Sequence, residues 1–246
     1  MSEPIEIPDL GPNFDELWCL LIDLADLPGA PWTLVGGQMV LLHGLEYDRY
    51  PPAVSEDADA VANVRAKPRA IAILVAELKA RGFEVDGMSP DGIAHRYVKH
   101  AQPLPLKIDI LAPEGLGPRT DLTTTRPGRT VQVPGGTQAL ARTERVAVRV
   151  AGTEGVVPRP SLLGALVLKA AATAIPVTDT AKHHRDLAFL CSLITDPHGM
   201  RAAMTKKDVK RLKSAGRLLD RTHAAWVLID EPHRSDGYAA YQIIAT

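Results

Sequence analysis

Apolar residues at Phe14, Leu17, Trp18, Leu20, Leu21 and Leu24 recur every three or four positions. That is the period of a helix burying one face, and it predicts a helix over residues 13–27. The cluster Pro28-Gly29-Ala30-Pro31 ends it, since a ring-locked proline lacks the donor a helix needs and glycine favours turns. A short strand follows at Trp32-Thr33-Leu34-Val35, running directly into Gly36-Gly37 and an apolar helix over 38–45. The pattern reads as strand, tight glycine turn and helix N-terminus. A second strand is expected at 57–64, and an amphipathic helix at 68–81 closed by Gly82.

Strands at 83–86 and 94–100 lead to residues 105–111, where Leu106, Ile108, Ile110 and Leu111 suit a buried strand. From 129 to 157 glycines and prolines punctuate β-rich runs, notably Val146-Ala147-Val148-Arg149-Val150, before Pro160 opens a helical region. Helices are predicted at 161–174, 180–194 and 206–221, and the tail 231–246 has weak signals. The fold class that results is α/β of the α+β kind. A mixed sheet flanked by helices is expected over residues 1–157, followed by a mainly helical C-terminal domain over 158–246.

Composition narrows the function. The 246 residues are 46% hydrophobic and 23% charged, values of a globular chain that exclude disordered, collagen-like and coiled-coil classes. A formal net charge of -1 argues against a protein devoted to gripping duplex DNA and leaves only local basic faces. Aromatics at 4% argue against a base-stacking platform. Cys19 and Cys191 lie far apart with no metal-type spacing and read as small core residues. The opening Met1-Ser2-Glu3-Pro4-Ile5-Glu6 lacks the basic start and apolar stretch of a secretory signal, and no apolar run reaches the roughly 20 residues of a membrane helix. The expectation is a soluble, cytoplasmic protein with no membrane partner.

Candidate chemistry lies in the carboxylates. In Ser55-Glu56-Asp57-Ala58-Asp59-Ala60-Val61 the two aspartates are two apart, so on a strand they share a face. Like charges that close are tolerated at a surface or around a cation, and magnesium, which takes hard oxygen ligands together with substrate phosphates, fits. An Asp-x-Asp by itself equally describes a solvated loop. Asp109 sharpens the pattern, because it sits inside the apolar strand where an uncompensated carboxylate would cost several kcal/mol. A third carboxylate beside the pair would let two metal ions share ligands, as in nucleotidyl transfer; the alternative is an Asp paired with Lys107 or Arg96. Gly36-Gly37 adds a turn without side chains, where a triphosphate can approach backbone amides at a helix N-terminus.

These residues resemble the nucleotidyltransferase superfamily with the DNA polymerase β-like fold: a glycine pair opening a helix, a later Asp-x-Asp and a third Asp on a neighbouring strand. The run from Thr33 to Gly44 is especially similar to the branch of AbiE-type abortive-infection toxins and MenT-type toxins of bacterial toxin–antitoxin systems. Lys169, followed by Lys182-His183-His184-Arg185-Asp186-Leu187, resembles that branch's downstream lysine and its basic-His-x-x-Asp-Leu segment. The likeness spans roughly residues 30–195.

The resemblance implies that Gly36, Gly37, Ser55, Lys169 and Lys182 contact the triphosphate and that Asp57, Asp59 and Asp109 bind magnesium, two ions in all. Asp109 would also help activate the acceptor hydroxyl, and Asp186 would orient Lys169 or the nucleotide. Two departures stand out. The family's Arg four residues before the first metal aspartate is Ala53 here, with Arg49 nearest, and its serine after the first glycine is Gly37. Lys169 also reads as a snorkelling lysine on an apolar helix. His183 and His184 show no metal geometry and read as solvated helix residues or phosphate contacts.

Lys206, Lys210, Lys213, Arg217 and Arg221 form a basic stripe that suits either solvent or a nucleic-acid backbone. Three readings follow. The leading one is a magnesium-dependent toxin transferring NMP from an NTP to RNA, in particular tRNA, with an antitoxin as partner. The others are the same chemistry on a small hydroxyl substrate such as an antibiotic, and a catalytically silent nucleotide-binding member.

Overall fold

A computed structural model describes residues 3–102, 104–175 and 180–246. Met1 and Ser2 of the acidic start, and positions 176–179 within the segment resembling the toxin branch, lie outside these residues. In chain order the first elements are β1 (Ile5–Glu6), α1 (Pro12–Ala25), β2 (Trp32–Val35), α2 (Gly36–Leu45), β3 (Asp57–Ala62), α3 (Ala70–Ala80), β4 (Glu84–Val85), β5 (Arg96–Lys99) and β6 (Leu106–Pro113). There follow β7 (Gln132–Val133), α4 (Gly136–Ala141), β8 (Thr143–Val150), β9 (Thr153–Pro160), α5 (Leu162–Ala172), α6 (Thr180–Cys191), α7 (Pro197–Ala202) and α8 (Lys206–Ser214). After a 3-10 turn at Gly216–Leu219 come α9 (Ala224–Val227) and α10 (His233–Ala245).

The main sheet has the order β2-β3-β6-β5-β4, with β7 added beside β6. Its centre is the parallel pair β3 and β6, and a parallel pair needs a crossover connection, supplied here by the segment carrying α3. Burial on both faces explains why β6 is a nearly unbroken apolar run interrupted by Lys107 and Asp109. A smaller sheet, β1-β8-β9, is built on a hairpin in which Ala151 and Gly152, both at positive φ, join Val150 to Thr153. Two consecutive positive φ angles give the turn the twist its flanking strands require.

One hydrophobic cluster runs through the whole molecule, joining Leu34 and Met39 to Leu166, Leu187, Trp226 and Tyr241. The division expected after residue 157 falls inside β9, and α6 packs on both α2 and α5, so the helical C-terminal part and the sheet share one core. The glycine- and proline-punctuated stretch between residues 129 and 157 also contains a helix, α4.

The helix expected over 206–221 stops at Ser214. Donors from later in the chain claim backbone carbonyls in its last turn and just beyond: the Tyr241 hydroxyl donates to the Leu212 carbonyl (2.9 Å), Trp226 Nε1 to Leu218 (2.9 Å) and the Tyr238 hydroxyl to Leu219 (2.8 Å). Arg221 therefore leaves the basic stripe and lies against the Tyr238 ring. The weak tail becomes α10, anchored by buried Tyr241 and Ile244. Cys191 is buried and Cys19 half-buried, both free. Among the described residues no helix is long and apolar enough to cross a membrane.

Candidate active site

Strand register assembles the carboxylates. Asp59 of β3 is the partner of Asp109 on β6, Asp57 is the partner of Lys107, and on the far side of β6 Asp109 is the partner of Arg96 on β5. Across β2 the partner of Asp59 is Val35, the last residue before the glycine pair. Asp57, Asp59, Lys107, Asp109 and Arg96 thus come together beside the start of α2, brought there by pairings that the chain makes over long separations.

The glycine pair has a steric role. Gly36 has φ +70°, a left-handed conformation glycine adopts without strain, and a Cβ there would overlap Oδ2 of Asp59. A Cβ on Gly37 would overlap the Cβ of Ser55. Both glycines therefore let the helix start press against Asp59 and Ser55. Gln38 clamps the same loop, its buried amide donating to the Ser55 carbonyl at 2.5 Å. The Ser55 hydroxyl in turn donates to Asp57 Oδ1, and Lys182 Nζ lies 3.4 Å from Ser55 Oγ.

Arg96 is the dominant cation of the cluster. Its Nε donates to Asp109 Oδ1 at 2.8 Å and its Nη2 to Asp109 Oδ2 at 2.9 Å, while the same Nη2 reaches Asp57 Oδ2 at 3.2 Å. His95 Nε2 lies 3.7 Å from Asp109 Oδ2. Hydrogen bonding to Asp109 raises the guanidinium pKa, against the opposing effect of burial. Asp57 feels burial that would raise its pKa, but the Ser55 hydroxyl, Lys182 and Arg96 outweigh it and hold the carboxyl below its usual range. Asp59 is the strained member. Burial, then the charges of Asp109 and Asp57, push it up to about 7, with Lys169 and Lys182 acting the other way.

Lys169 on α5 and Asp186 on α6 are both buried, and Lys169 Nζ donates to Asp186 Oδ2 at 2.6 Å. A buried charge on an apolar helix is tolerated because this partner is there. Two clefts open around the carboxylates. One, of about 320 Å³, has Gly36, Asp57, Asp59, Arg96, Lys169 and Lys182 in its wall. The other, of about 380 Å³, meets Gly37, Ser55 and Asp57 and adds Lys107, Arg185 and Asp186. Every residue expected to bind nucleotide or metal lines one of these clefts except Asp109, which Arg96 covers.

The donor chemistry suits magnesium at one place. Asp57 and Asp59 are hard oxygen ligands on one strand face, open to a cleft beside the glycine turn. Asp109 has the Arg96 guanidinium across both of its oxygens, whereas Asp57 accepts from Ser55 on one oxygen and from Arg96 on the other, and Asp59 lines the cleft beside them. Among the described residues no group of three or more His, Cys, Asp or Glu side chains is disposed to hold a metal ion. The three carboxylates expected to share metal ions are neighbours, with the Arg96 guanidinium between Asp109 and Asp57.

Arg96, noted from sequence only as an ion-pair partner, lines both clefts. The sole sequence signal for it was a basic residue inside a strand. Arg49 is elsewhere: it donates to the Ser192 carbonyl at 2.8 Å and stacks over Phe189, so it does not supply the Arg missing at Ala53. His184 is buried, its Nδ1 2.9 Å from the Thr180 carbonyl and its ring against His223, which makes it a packing residue. His183 lines the smaller cleft. Lys206, Lys210, Lys213 and Arg217 are exposed.

No protein-family model matches this sequence, and no curated protein sequence matches it either. A solved structure does match the fold. The crystal structure of an antigenic nucleotidyltransferase-like protein from Paracoccidioides brasiliensis superposes with a TM-score of 0.51 at 12% identity, covering 92% of this chain and 93% of that one. The solution structure of the antibiotic-resistance factor ANT(2'')-Ia matches with a TM-score of 0.42 at 15% identity, over 85% of this chain and 96% of that one.

Proposed function

We propose that this chain is a magnesium-dependent nucleotidyltransferase of the toxin branch, moving NMP from an NTP to RNA, with tRNA as the acceptor class. The observation that carries it is the meeting of Asp57 and Asp59 with the Gly36-Gly37 helix start and the cations Lys169 and Lys182 around one cleft. Amides at the start of α2 and the two ammonium groups suit a triphosphate, since both present positive charge to an anion. Magnesium at Asp57 and Asp59 would neutralise phosphate charge as pyrophosphate leaves. Asp186 holds Lys169 in place, and Ser55 fixes Asp57. In the transfer the acceptor hydroxyl oxygen bonds to the α-phosphorus, the bond from that phosphorus to the pyrophosphate oxygen breaks, and the hydroxyl proton is released. A cognate antitoxin would be its protein partner in the cytoplasm.

The second cleft favours RNA over a cationic antibiotic. Its wall carries four cations, Arg96, Lys107, Lys182 and Arg185, against three acids, Glu56, Asp57 and Asp186, an excess of one positive charge. A polyanion is drawn to that rim.

The test is incubation with magnesium, each α-labelled NTP in turn and total bacterial RNA, followed by a denaturing gel. A labelled tRNA-sized band that disappears with Asp57→Ala is expected. No label from any NTP would overturn the RNA reading, and label retained in Asp57→Ala would overturn the metal assignment.

A further inference from the structure

The position of Arg96 bears on how many cations the site takes. Register places it directly across β5 and β6 from Asp109, so the contact is built into the sheet. Its guanidinium meets both oxygens of Asp109 at 2.8 and 2.9 Å and extends to Asp57 at 3.2 Å. Bidentate charge-assisted bonds of this kind are the strong ones, and an arginine does not lose its proton. A cation shared by Asp57 and Asp109 would have to sit where this guanidinium sits. Asp59, by contrast, receives no hydrogen bond from any described residue, and its carboxylate faces the cleft. Nη1 of Arg96 likewise donates to no described residue.

We infer that Arg96 is a tethered cation that takes the place of one of the two metal ions, leaving a one-metal site on Asp57 and Asp59. This rests on the nucleotidyltransferase reading. Asp109 then acts as the anchor that positions Arg96 between the strands, and the acceptor side of the site is organised by a fixed guanidinium.

Counting bound Mn2+ by electron paramagnetic resonance tests it without any turnover. The full-length protein is titrated with Mn2+ as the probe, alone and with inorganic triphosphate. Wild type is expected to bind one ion per chain with an uncoupled signal. In Arg96→Gln the freed carboxylates are expected to admit a second ion, giving the exchange-coupled signal of ions about 3.5–4 Å apart. Arg96→Lys, which keeps the charge, is expected to stay at one ion. Two coupled ions in wild type would overturn the inference and leave the nucleotidyltransferase reading standing. A single ion in both wild type and a folded Arg96→Gln would also overturn it. No bound Mn2+ in wild type, with or without triphosphate, would overturn both. The wild-type count decides the matter even where a variant fails to fold.

Discussion

Gly36 and Asp59 occupy one space: the carboxylate oxygen of Asp59 lies where a side chain on Gly36 would begin. The glycine that starts α2 is thereby coupled sterically to the carboxylate of β3. Gly36→Ala is expected to cost about 1–3 kcal/mol from the left-handed backbone, with Asp59 displaced in addition. Thermal unfolding should fall by several degrees, and Mg2+ should no longer raise the melting temperature. A variant that kept both the wild-type melting temperature and its Mg2+ response would show that the two residues do not compete.

The raised Asp59 pKa makes stability depend on pH. Its ordinary value is 3.8 and burial with Asp109 and Asp57 pushes it up to about 7. Between those values the native protein holds a proton that the unfolded chain has released, so stability from this group falls as pH rises and the full penalty is present above about 7. Asp59→Asn should therefore stabilise the protein more at pH 8 than at pH 5, by an amount on the order of 1–2 kcal/mol. Mg2+, which needs the ionised carboxylate, should stabilise wild type more at pH 8 than at pH 6. Melting curves at these pH values with and without Mg2+ check both signs.

Lys169 and Asp186 form a buried pair, and breaking one side leaves a stranded charge. Asp186→Ala is expected to destabilise by about 3–5 kcal/mol. The double variant Lys169→Met with Asp186→Leu should recover most of that loss, since an apolar pair can replace a buried ion pair. Nucleotide binding should stay absent in the double variant if Lys169 serves phosphate as well as packing. Restored binding would reduce the lysine to a structural role.

His43 on α2 is buried, with Nε2 3.0 Å from the Pro160 carbonyl and its Nδ1 facing Nη1 of the buried Arg159. Burial, then the Arg159 charge, keep its pKa well below the ordinary 6.5, against the opposing pull of the Pro160 carbonyl. Below about 6.5 the unfolded chain gains a proton that the native state refuses, so this histidine removes stability on acidification. His43→Leu is expected to be less stable at pH 8, because Arg159 loses an acceptor. It should also lose less stability than wild type between pH 7 and 5. Urea denaturation at the two pH values measures the difference.

Much of the fold was legible from local pattern. Alternating apolar residues and glycine or proline stops located α1, β2, β3, α3, β6, α5 and α6 to within a few residues, because a side chain's periodicity reports which face of its own element is buried. Local pattern also picked out Gly36, Gly37, Asp57, Asp59 and Asp109, while Lys169 and Asp186 came from the family resemblance. What periodicity cannot report is the partner across the sheet or on a distant helix. Register alone set Asp59 against Asp109 and Asp109 against Arg96, which put a guanidinium on both oxygens of the third carboxylate. Tyr241 and Trp226, arriving from the far end of the chain, likewise decided where α8 stops. The sequence by itself determined most of the elements that carry the site and most of the cleft's charged residues, though not α4, the end of α8 or the place of Arg96. The tertiary structure decided which charges neutralise one another, because that depends on contacts between residues far apart in the chain, whose geometry no local spacing encodes.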